Sequence, residues 1–231
     1  MTRQSFHEGL KQLNEEILRE ASLVVEAVDL STQALLKSDR SLANSVIAGD
    51  DDINELTLRI EGNCLALQAQ QQPVARDLRL LHTCLLVSLH LERVGDLAVN
   101  IAKIAKRLER TEAAEPYLEL LGKMSAQALE VLRQGIKAFA DRDARLANSL
   151  VEIDEPIDEM YKEILTRLLH PKGELEAVES TEWATHIALA SRYIERIADQ
   201  VVDMGARIDF LVTGKLDGRY FDNEPDKRFG E

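Results

Sequence analysis

The chain is written twice. Asp39-Arg-Ser-Leu-Ala-Asn-Ser45 returns as Asp143-Ala-Arg-Leu-Ala-Asn-Ser149, and Asp50-Asp-Asp-Ile-Asn-Glu55 returns as Asp154-Glu-Pro-Ile-Asp-Glu159, both at an offset of 104 residues. Further along, Leu91-Glu-Arg-Val-Gly-Asp96 matches Ile194-Glu-Arg-Ile-Ala-Asp199 at an offset of 103. The register slips by one residue between the second and third segments of the second copy, so a loop is expected there. A repeat of this length means that one supersecondary unit has been duplicated, and the two copies must then bury their apolar faces within and against each other.

The unit is helical. Of 231 residues only 4% are aromatic, with 11 Gly and 5 Pro, while 45% are hydrophobic; such a mixture favours long helices over strands. Punctuation predicts helices over residues 5 to 37, 40 to 70, 75 to 110, 116 to 140, 144 to 170 and 180 to 212. Ser5-x-x-Glu8 reads as a capping box, Asp39 and Asp143 as N-caps of the second helix of each copy, and Pro73 and Pro171 as its stops. Helices of about 30 residues run roughly 45 Å, and short connections make neighbours antiparallel. The expected fold is all-α: two tandem, pseudo-symmetric three-helix bundles, over 1–112 and 113–213, followed by a flexible polar tail over 214–231. Apolar seams at 3,4 spacing, Val94, Leu97, Ile101, Ile104, Leu108 and Ile194, Ile197, Val201, Met204, Ile208, Leu211, mark packed faces.

A formal net charge of -13 argues against wrapping nucleic acid, which needs Lys and Arg to neutralise phosphates. Cations or basic partners suit the chain better. Met1 to Leu10 has no apolar core and no small-residue cleavage site, and no uncharged apolar run reaches the length of a membrane span; the expected location is cytoplasmic. Cys64 and Cys84 fall in helical patterns without metal-type spacing and are expected as buried reduced thiols.

Glu92, Asp96 and Asn100 stand at i, i+4 and i+8, as do Glu195, Asp199 and Asp203, which stacks each set in one row along its helix. Helix geometry turns both rows away from the apolar seams, so they are expected to point outward. Asp50-x-x-x-Asn54 and Asp154-x-x-x-Asp158 repeat the i,i+4 form on the preceding helices. If those helices pack side by side, each half gathers about four oxygen-bearing side chains, a set that suits Mg, Mn, Ca or Fe, with Zn less natural without His or Cys. Spacing leaves a second reading open: ordinary solvated faces, partly neutralised by Arg93 and Arg196.

Other chemistry finds no residues. None of His7, His82, His90, His170 or His186 has a Glu three positions before it, which removes the ligands of a ferritin-like di-iron bundle. His82 and His186 read as packing or interface residues. No Gly-rich phosphate loop, CxxC or nucleophile motif occurs. A metal-dependent phosphohydrolase on an exposed multi-metal cluster, or a metal-free helical scaffold, are the alternatives to a binding module.

The sequence resembles the PhoU family over residues 5 to 213. Four segments carry the likeness: Gln72-Pro-Val-Ala-Arg-Asp-Leu-Arg79, Glu92-Arg-Val-Gly-Asp-Leu-Ala-Val-Asn-Ile-Ala102, Arg192-Tyr-Ile-Glu-Arg-Ile-Ala-Asp199 and Phe210-Leu-Val-Thr-Gly214. The resemblance implies surface metal clusters, of divalent or trivalent ions such as Fe, Mn, Mg or Zn, held by paired Glu/Asp-x-x-x-Asp motifs. On this chain those motifs fall on Glu92 with Asp96 and Glu195 with Asp199, supported by Asp50, Asp154 and Asp158. Asn54 and Asn100 stand where carboxylates are possible, so the first-half site is expected to be weaker than the second, which has Asp158 and Asp203. The resemblance further implies a regulator without catalytic activity, restraining phosphate uptake and the phosphate-starvation response. Its partners would be the ATPase subunit of the phosphate ABC transporter and a phosphate-sensing histidine kinase, with the membrane reached only through such partners. A homodimer is the default expectation.

Overall fold

The computed structural model describes residues 3–71, 73–74, 76–108, 114–170 and 180–215, and among them the chain forms six helices and no strand. These are α1 (Arg3–Lys37), α2 (Arg40–Gln71), α3 (Arg76–Ala105), α4 (Glu115–Asp141), α5 (Ala144–Leu169) and α6 (Thr181–Thr213). The repeat is legible in the caps. The Asp39 carboxylate accepts from the backbone N–H of Ser41 and Leu42 at 2.8 and 3.1 Å. Asp143 accepts from Arg145 and Leu146 at 2.9 and 3.0 Å. Each removes orphan donors of a helix start, worth about 1 kcal/mol.

Two expectations at helix ends are corrected. Ser5 lies inside α1, which already begins at Arg3, rather than at its N-cap position, and Gln4 donates to Glu8 one turn on. The third helix stops at Ala105 rather than 110, because the N–H groups of both Arg107 and Leu108 turn back onto the carbonyl of Ile104. That tight turn still leaves Leu108 buried. Pro171, the deletion loop after His170, and the tail beyond Lys215 lie outside the described residues.

Within each copy every helix packs on the other two: α1, α2 and α3 form one bundle, α4, α5 and α6 the other. The bundles then join through equivalent helices, α3 on α6 and α1 on α4, so the core is continuous across the pseudo-symmetry. All eleven seam residues, ten in α3 and α6 and Leu108 in the turn after α3, are buried, each such side chain contributing about 1.5–3 kcal/mol relative to exposure. At Gly205 a Cβ would sit 2.8 Å from the carbonyl oxygen of Ala147 and 3.0 Å from Leu150. The missing side chain lets α5 lie close along α6, and two turns further on this brings Asp154 and Asp158 beside Glu195 and Asp199. Gly95 plays a milder part in the first copy, where a Cβ would meet Ile53 at 3.3 Å.

Candidate metal centre

The acidic rows do not point straight outward. Glu195 is only 7% exposed, Asp199 is half-buried, and Asp203 alone of that row is exposed. The reason is that α6 is a central helix, enclosed by α3, α4 and α5, so turning away from one seam does not reach solvent. The row instead runs down the groove between α5 and α6. In the first copy Glu92 and Asn100 are half-buried and Asp96 is exposed, so that groove is shallower.

The second-half groove concentrates negative charge. Burial pushes the Asp154 carboxyl up to about 7, with Asp158 and Asp199 adding to it. Glu195 is likewise raised to about 7 by burial, then by Asp199, against the opposing guanidinium of Arg192. Asp199 is raised by burial and by Asp158. One oxygen of Glu195 is ion-paired with Arg192, whose guanidinium lies 5.7 Å from the Tyr161 ring centroid. The other oxygen of Glu195, and Oδ1 of Asp154, are buried without a hydrogen-bond partner. Such oxygens are costly unless something positive meets them. Pro156 interrupts α5 between Asp154 and Asp158, removing one backbone N–H from the helix at the site.

The first-half groove is milder. Asp50 is raised by burial and by Asp96, while the Asn54 amide, which donates to it at 3.3 Å, opposes the shift. Glu92 is raised by burial and by Asp96, with Arg93 opposing. Asp50, Asn54, Glu92 and Asp96 are thus brought together across α2 and α3. Asn100, one turn beyond Asp96, lines with it and with Arg93, Arg196 and Gln200 a cleft of about 250 Å³ between α3 and α6. Asp203 acts on both Asp199 and His90, at the outer end of its row.

Among the described residues, no three or more His, Cys, Asp or Glu side chains stand close enough together to hold an ion as they are. The donor chemistry nonetheless fits a hard cation in the second half: four carboxylates on two adjacent helices, with two buried oxygens lacking any partner.

Sequence reasoning missed two residues. Glu20, on α1, is fully buried; it accepts from Thr57 at 2.6 Å and Ser88 at 2.9 Å, and its other oxygen has no partner. Burial raises it to about 7, and Glu92 adds to this, so it sits beneath the first-half acids. The signal was readable: Glu20 occupies a seam position between Ile17 and Val24. Arg192, partner of Glu195, carried no such mark. Cys64 and Cys84 are buried and unpaired, with burial pushing both thiols up to about 12, and His82 packs edge-on against Phe210.

The family model described as PhoU domain matches twice, over residues 17–105 and 121–208, the two structural repeats. A phosphate-specific transport system accessory protein PhoU homolog of Clostridium acetobutylicum is 32% identical over 93% of this chain and 97% of its own length. The Aquifex aeolicus homolog is 34% identical over 81% of this chain and 83% of its own. The crystal structure of PhoU from Pseudomonas aeruginosa superposes with a TM-score of 0.82 at 28% identity, covering 91% of this chain and all of that one. The phosphate transport system regulatory protein PhoU from Streptococcus pneumoniae gives 0.78 at 28% identity over 92% of this chain. With both of its repeats matched and relatives aligned nearly end to end, the chain belongs to the PhoU family.

Proposed function

We propose that the chain is a regulatory adaptor of phosphate transport, restraining phosphate uptake and the starvation response by contact with the transporter's ATPase subunit and a sensor histidine kinase. The observation that carries the reading is the match of both repeats to relatives named as accessory proteins of phosphate-specific transport, over nearly the whole of each chain. No described helix is long and apolar enough to cross a membrane, in keeping with action in the cytoplasm and access to the membrane through protein partners.

Metal ions belong to this reading. Asp154, Asp158, Glu195 and Asp199 would hold the second-half site, with Asp203 at its rim, and Asp50, Glu92 and Asp96 the first. A bound Fe, Mn, Mg or Zn ion supplies the positive charge that these grooves lack. The residues themselves orient it: Arg192 fixes one oxygen of Glu195 and leaves the other turned inward. The chain acts as a binding module, as a homodimer, with its grooves presenting charge to partners.

A tagged copy recovered from phosphate-replete cells is expected to bring the transporter ATPase or the histidine kinase with it, and to lose much of that partner when a chelator is present. Recovery of neither partner would contradict the adaptor reading; recovery indifferent to chelator would detach the metal from it.

A further inference from the structure

We propose a second site on this protein, a basic cleft that binds a small oxyanion of the phosphate type. The cleft, of about 450 Å³, opens where the start of α1, the start of α3, the α4–α5 turn and the end of α6 meet. Lys11, Arg76 and Arg142 line it, with His7 and Asn14, against the single carboxylate of Asp77. Three fixed cations facing one anion is a local excess of two positive charges on a chain whose net charge is -13. Among the described residues Arg76 and Arg142 have no ion pair, and Lys11 makes only an exposed one with Glu15 at 3.6 Å.

Comparison of the copies shows that the fold does not impose this charge. At the repeat offset of 104, Glu115 stands for Lys11 and Leu118 for Asn14. The second copy therefore carries neither the amine nor the amide at these positions.

Arg142 is the pivot. It occupies the left-handed backbone region, φ 53°, which side chains other than glycine rarely enter. Its equivalent in the first copy, Ser38, has φ 54°, so the turn needs the conformation but not the guanidinium. From this turn Arg142 lines the cleft beside Arg76, Asp77 and Leu80 of α3. Planar guanidinium groups converging with an amine and an amide are the donor set that recognises tetrahedral oxyanions. Arg76 and Asp77 belong to the Gln72–Arg79 segment, which no acidic groove uses.

The site stands apart from both acidic grooves, and its test does not depend on the transport role. Titration of the full-length protein with inorganic phosphate, followed by calorimetry and repeated after EDTA treatment, is expected to show saturable binding in both preparations. The variant Arg142→Ser, which installs the residue that the first copy tolerates at the same φ, is expected to fold normally by circular dichroism, to keep its metal content and to bind phosphate at least tenfold more weakly. Arg76→Ala is expected to do the same. Absence of saturation at millimolar phosphate, binding unchanged in both variants, or binding that vanishes with EDTA would overturn the proposal, the last by assigning phosphate to the metal grooves.

Discussion

Replacing Glu20 with methionine is expected to favour the folded state by roughly 2–3 kcal/mol more at pH 8 than at pH 5. The argument rests on burial. Glu20 has no exposed surface, and its carboxyl is raised from the ordinary 4.5 to about 7. The folded state therefore binds its proton more tightly than the unfolded chain does. The sign follows: the protonated acid is tolerated below about pH 4, the penalty on the fold grows as pH rises towards 7, and above 7 it is fully present. The rise, at about 1.4 kcal/mol for each tenfold change in proton affinity, sets the magnitude. Methionine is a structurally tested occupant, since Met124 fills the equivalent position of the second copy and is also fully buried. Thr57 keeps an acceptor in the variant, the carbonyl of Ile53 at 3.1 Å, while the buried Ser88 hydroxyl loses the one it has in Glu20, at a cost of about 1–3 kcal/mol that is the same at both pH values. Urea unfolding at the two pH values checks this; a variant that loses stability with pH as steeply as the parent would contradict it.

The second large effect is a reversal of sign. In metal-free protein the second-half groove holds two carboxyls raised to about 7 by burial first and then by neighbouring carboxylates, Asp158 and Asp199 for Asp154 and Asp199 for Glu195, each with an unpartnered buried oxygen. The double variant Asp154→Asn, Glu195→Gln removes that ionisation and is expected to be more stable than the parent in EDTA at pH 8, by about 1–3 kcal/mol, the range for an unsatisfied buried group. Adding metal is expected to reverse the order. A ligand at about 100 times its dissociation constant adds about 2.7 kcal/mol to a protein that binds it, and the variant has lost the charge to do so. A variant that is less stable than the parent in EDTA, or that gains equally from metal, would show that the groove is not built around a cation.

How far the sequence could be read divides along physical lines. The duplication, the six helices, the aspartate caps and both apolar seams were legible, because each depends on local spacing or on one residue's hydrogen bonds to its neighbours. The direction of the acidic rows was not. An angle around one helix says where a side chain leaves that helix, and only the packing of α3, α4 and α5 around α6 decides that Glu195 is covered. The partners across helices were also out of reach: Arg192 stacked on Tyr161, and the Thr57–Glu20–Ser88 group, whose members are separated by 37 and 68 positions. Glu20 itself was visible as an acid at a seam position. Asn54 and Asn100 set the expectation that the two halves differ in metal binding; the structure shows a separate difference, that the second groove is deeper and two of its oxygens have no partner.

The central claim is that the paired acids of both grooves hold metal and that the second groove holds it more firmly. Elemental analysis of the purified protein beside two variants tests it most directly, one with Glu92→Ala and Asp96→Ala, the other with Glu195→Ala and Asp199→Ala, all with helicity checked by circular dichroism. The account predicts metal in the parent, a partial loss in the first variant and the larger loss in the second. Equal metal content in all three would contradict it.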